Sequence, residues 1–169
     1  QDGGTVILNA GLDSAGNTAG QITIFTGADI TTSGSAAASS SNGSGGAGGA
    51  VTFDSNSTSI ILADTTVTTS GGAKDGTGTA GSGGLITMSD ALSITTGAVT
   101  LNTGATAGGV TISSTIDGDV DLDITSGTGA VAIQGVVGGT NALSTLDINA
   151  LSGTGTIEVT DIGDGNPSA

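Results

Sequence analysis

The 169-residue chain contains no Cys, His, Tyr, Trp or Arg; Lys74 is the only basic side chain, Pro167 the only proline, and Phe25 and Phe53 the only aromatics. Each absence removes a class of function. Without His or Cys the chain lacks the usual acid–base and nucleophilic groups. A carboxylate pair can hydrolyse a glycoside, but such sites also grip sugar with aromatic and basic side chains. A carbohydrate-active enzyme is therefore the third-ranked reading, and the chain is not expected to be an enzyme. One lysine against 15 acidic residues leaves a formal charge of −14, which repels nucleic acid and anionic membrane surfaces. No apolar run of about 18 residues exists to insert into a membrane. The lack of cysteine does not by itself assign a compartment.

What remains is mostly small. There are 33 glycines, with Ala, Ser, Thr and Asn filling much of the rest. Such a chain escapes disorder only if it carries enough clustered apolar residues to form a core. Its mean hydropathy is +0.28, and Val, Ile and Leu recur in short clusters, so an ordered all-β protein is expected.

The clusters share a form: a small residue, then apolar–X–apolar. They start at Val6, Ile22, Val51, Ile86, Val110, Val131 and Ile157. Period-two alternation of this kind marks a strand with one buried face. A second class of strand follows in 28–34, 64–71, 92–97, 120–127 and 144–153, usually ending in Thr/Ser–Gly, a composition suited to sharp corners. The spacing predicts a parallel β-helix (β-solenoid) of about six to seven irregular coils with glycine-rich corners. One domain or segment, 1–169, is expected, with the low-complexity tracts 34–49 and 71–84 as surface loops on one edge and 163–169 as an irregular tail. An antiparallel sandwich is the alternative, but Asn-Gly and Asp-Gly hairpin turns are scarce.

Two features suggest ligands. In "IDGDVDLDI", Asp117, Asp119, Asp121 and Asp123 alternate with Ile116, Gly118, Val120, Leu122 and Ile124. These four aspartates are candidate calcium ligands. Carboxylates two residues apart on a straight strand are roughly 7 Å apart, so a bend at Gly118 or a neighbouring coil would have to complete the oxygen shell. The bland reading is a solvated strand face. The second feature is Thr23, Thr52, Thr87 and Thr111, expected to stack in one outward column, as on an ice-binding face; β-propensity alone also puts threonine there.

The Gly–(V/I)–T–(I/F/M) strands, the Thr-Ser-Gly corners and the acidic, cysteine-free composition resemble the β-helical repeats of large bacterial surface proteins, such as filamentous-haemagglutinin-like adhesins and autotransporter passenger domains. The resemblance implies an extracellular structural scaffold, stalk or filament subunit. Its partners would be copies of itself or adjoining repeats stacked end to end, and cell-surface or matrix ligands. A calcium-dependent adhesion module or an ice-binding module is the alternative. Secretion is expected, with Gln1 as the start of a processed piece and few sites for trypsin-like proteases.

Overall fold

The computed structural model describes residues 1–11, 20–39, 42–56, 58–150 and 155–163. Regular structure among them is entirely strand. The strands are β1 (Val6–Asn9), β2 (Ile22–Ile24), β3 (Ile30–Thr31), β4 (Val51–Asp54), β5 (Ser59–Ala63), β6 (Thr66–Thr68), β7 (Ile86–Met88) and β8 (Ala91–Thr96). They continue with β9 (Val99–Asn102), β10 (Val110–Ile112), β11 (Ile116–Gly118), β12 (Leu122–Ser126), β13 (Val131–Val137), β14 (Leu146–Ala150) and β15 (Ile157–Ile162). All pairings are parallel. A ten-stranded sheet runs β1-β4-β7-β10-β13-β11-β8-β5-β2, with β15 also on β13, and a five-stranded sheet runs β14-β12-β9-β6-β3.

Alternation in the sequence becomes columns in the structure. Val6, Val51, Ile86, Val110, Val131 and Ile157 stand in register, as do Leu8, Phe53, Met88, Ile112, Ile133 and Val159. In the other arm of the large sheet Ile22, Ile60, Leu92 and Ile116 align. The small sheet contributes Ile30, Val67, Leu101, Ile124 and Ile148. These columns face one another and form a single core in which Phe53, Ile60, Met88, Leu101 and Ile112 are wholly buried. Each such side chain contributes about 1.5–3 kcal/mol relative to exposure.

Buried hydroxyls fasten the small sheet to the start of the large one. The Oγ1 of Thr32 donates to the carbonyl of Gly49 at 2.6 Å, that of Thr69 to Gly84 at 2.9 Å and that of Thr103 to Gly108 at 2.8 Å. Ser126 Oγ donates to Gly129 at 3.2 Å. All four side chains are buried. The hydroxyl gives each carbonyl a donor, which matters most for Gly49 and Gly84 because both are buried.

The expected β-solenoid of six to seven irregular stacked coils is overturned by the sheet topology. The large sheet is continuous: it doubles back through β13 and, with the five-stranded sheet over the remaining side, wraps one core in a single compact, nearly closed parallel wall. The reason is local. Beyond the Val131–Ile133 motif, Gln134–Gly135 continues the strand, with a bulge between Ile133 and Val136 in its pairing to β15. One strand thus pairs with β10 at its start and with β11 at Val137. The end-to-end stacking expected of repeats is withdrawn too, since the strand pairings of both sheets are made within the chain. With it go the scaffold, stalk and filament roles and self-copies as partners.

The tracts 34–49 and 71–84, expected as surface loops, carry no strand among their described residues but pack against one another through a few buried glycines. Gly46, Gly49 and Gly72 are buried. The segment Gly45–Gly49 hydrogen-bonds to four others: Gly3 N donates to Ala47 O at 2.7 Å, Gly46 N to Ser35 O at 2.9 Å, Gly72 N to Gly46 O at 2.8 Å and Gly48 N to Ser82 O at 2.8 Å. A strand in a sheet has only two neighbours, because its hydrogen-bonding groups lie in one plane. Four neighbours require groups that point around the chain, as in a polyproline-II-type helix of three residues per turn. The glycines keep that period: a Cβ on Gly78, Gly81 or Gly84 would overlap the carbonyl oxygen of Gly43, Gly46 or Gly49 respectively. Only glycine admits such close backbone approach, as in collagen. The tracts, with residues 1–4, form a glycine-packed lobe beside the strands.

Of the expected tail 163–169, residues 164–169 lie outside the described residues.

Candidate functional site

The aspartate row does not lie on one strand. Asp117 is on β11 in the large sheet, Asp119 and Asp121 sit at the corner after it, and Asp123 is on β12 in the small sheet. Gly118 is buried and Val120 half-buried, so the apolar parity continues through the corner. The bend follows Gly118, and beyond it Asp119 and Asp121 both line a shallow cavity with Gly97, Val120 and Ser144. Asp117 Oδ1 accepts from the backbone N–H groups of Thr140 at 2.7 Å and Asn141 at 3.2 Å. Asp119 is exposed and borders a shallow cavity of about 250 Å³ beside Ser93, Thr95 and Asn141. Asp121 holds a buried Oδ1 with no hydrogen-bond partner. Asp123 stands in register with Asp147. Among the described residues no group of three or more carboxylates is placed to hold a metal ion.

The threonine column holds three of its four expected members. Thr52, Thr87 and Thr111 align on the outer face, continued by Ala132 and Glu158 and preceded by Ile7. Thr23 belongs to the other arm, in register with Ile61, Ser93 and Asp117. Its "GQITI" motif looks like the others but enters the fold one strand later.

The small sheet carries a more regular polar face. Thr66, Thr100, Asp123 and Asp147 form one outward column. Thr31, Thr68, Asn102, Thr125 and Asn149 form the next. Asp29 caps the first column, its Oδ1 accepting from Thr66 N at 2.8 Å. Members of a column are about 4.8 Å apart and the columns roughly 7 Å apart. Every side chain in both columns carries a hydrogen-bonding group, and each is half-buried or exposed. The sequence signal was the residue before the corner threonine or serine in "ITTSG", "VTTSG", "LNTG" and "DITSG", always Thr or Asn.

No helix among the described residues is long and apolar enough to cross a membrane. No family model, curated protein or solved structure matches this chain. The expected likeness to the β-helical repeats of bacterial surface adhesins is overturned by the nearly closed parallel wall: composition and short repeats can produce the resemblance without common ancestry.

Proposed function

We propose that this chain is a non-catalytic binding module for an extended, uncharged, hydroxyl-rich polymer, a neutral polysaccharide, taken on the outer face of the small sheet and encountered outside the cell. The observation that carries the reading is the registered double column of Thr31, Thr68, Asn102, Thr125 and Asn149 beside Thr66, Thr100, Asp123 and Asp147. Hydroxyls, carboxamides and carboxylates offer donors and acceptors in a repeat that suits a repeating ligand. The formal charge of −14 disfavours anionic polymers. The scarcity of basic residues supports survival where trypsin-like proteases act.

The face has no aromatic platform for stacking on sugar rings. Each hydrogen bond contributes only about 0.5–1.5 kcal/mol net, so strength comes from many contacts along one polymer. Affinity electrophoresis through gels containing neutral polysaccharides tests this. The chain is expected to be retarded by at least one of them, and the double substitution Asn102→Ala, Asn149→Ala to migrate faster in that gel. Mobility unchanged in every gel, or equal retardation of chain and variant, would defeat the reading.

A further inference from the structure

The tip of the glycine lobe carries a feature that polymer binding does not use. Asn42 is the only asparagine followed directly by glycine. It is exposed and held at φ 48, in the left-handed region. Two groups from the neighbouring tip hold it. Its N–H donates to Asp75 Oδ2 at 3.2 Å, and its Oδ1 accepts from the backbone N–H of Thr77 at 3.2 Å. A hydrogen bond to a carboxamide oxygen draws electrons from Cγ and stabilises the oxyanion that forms when Cγ is attacked. The residue that follows is Gly43, which has no side chain of its own to obstruct attack by its backbone nitrogen on Cγ.

We infer that Asn42–Gly43 is a self-modifying site, at which the folded lobe promotes conversion of Asn42 to aspartate and isoaspartate. The Gly43 nitrogen bonds to Cγ of Asn42 and gives up its proton. The Cγ–Nδ2 bond breaks, and ammonia leaves carrying that proton. The cyclic imide then takes up one water, which opens it at either carbonyl. No oxidant or cofactor is consumed. Thr77 N–H acts on the carboxamide, and Asp75 is a positioning residue that fixes the Asn42 main chain. Each conversion adds one carboxylate beside Asp75. The isoaspartate product also adds one backbone carbon beside Gly43, the first glycine of the 43, 46 and 49 series that packs against Gly78, Gly81 and Gly84.

The test is site-resolved peptide mapping of the intact chain, incubated at mildly alkaline pH either folded or unfolded in guanidinium. Conversion at Asn42 is expected to be faster in the folded chain than in the unfolded one, and to exceed that at Asn9, Asn56, Asn102, Asn141 and Asn149. Thr77→Pro, which removes the N–H, and Asp75→Ala are each expected to slow it about tenfold, a barrier change of about 1.4 kcal/mol. A folded rate equal to or below the unfolded one, or rates unchanged in both variants, would overturn the inference. The unfolded-chain comparison keeps the result decisive if Thr77→Pro disturbs the tip.

Discussion

The strand body and the glycine lobe satisfy the same backbone groups in two different ways. In the body, hydrogen bonds run in a plane to two neighbours, and side chains above and below do the packing. Val, Ile and Leu at alternate positions are therefore indispensable. In the lobe, bonds radiate to as many as four neighbours, and no side chain fits at the crossing points. A column such as Val51–Ile86–Val110–Val131 is filled by its side chains; the Gly43/Gly78, Gly46/Gly81 and Gly49/Gly84 contacts exist because side chains are absent. Stability thus comes from apolar burial in one region and from dense backbone contact in the other.

This contrast can be broken from either side. The largest effect is expected from Leu101→Ala, which opens a cavity in the shared core and should cost about 2–5 kcal/mol in chemical denaturation. Because Leu101 supports both sheets, hydrogen-exchange protection should fall throughout. Gly81→Ala should cost about 1–3 kcal/mol by forcing a Cβ against the Gly46 carbonyl. Protection should fall in 34–49 and 71–84 while β7, β10 and β13 keep theirs. Loss across all strands would show that lobe and body fold as one unit. The smallest effect concerns a like-charged pair: Asp147→Asn removes repulsion with Asp123 directly across the ladder. It should stabilise by about 0.2–1 kcal/mol, read as a higher denaturation midpoint. A lower midpoint would mean that the two carboxylates share a cation.

The strand starts were legible because alternation leaves a direct trace: Val6, Ile22, Val51, Ile86, Val110, Val131 and Ile157 each open a strand. Three things were not. The interval of three among Gly43, Gly46 and Gly49 was hidden in a tract that composition alone marks as loop, since packing by absence leaves no apolar signature. The continuity of β13 was hidden because the apolar–X–apolar motif ends at Ile133, yet Gln134–Gly135 continues as strand. The division of the aspartate row was hidden because Gly118 and Val120 keep the apolar parity through the turn. Alternation reports which way a residue faces, not whether the chain has changed sheets. The polar face of the small sheet was partly visible in the Thr/Asn positions before each corner. Its completeness needed the register that only the fold supplies.

The buried hydroxyl contacts also bear on how this chain can change length. Thr32, Thr69, Thr103 and Ser126 make the same closure across separations of 17, 15, 5 and 3 residues. The two sheets therefore sense where a detour begins and ends, and hardly what it contains. The first two detours house a glycine-packed lobe; the last two are little more than a turn. A port of this kind lets new sequence be inserted without renegotiating the stack around it, and it marks the Ser126–Gly129 turn as the place where a foreign loop could be grafted with least disturbance to the core.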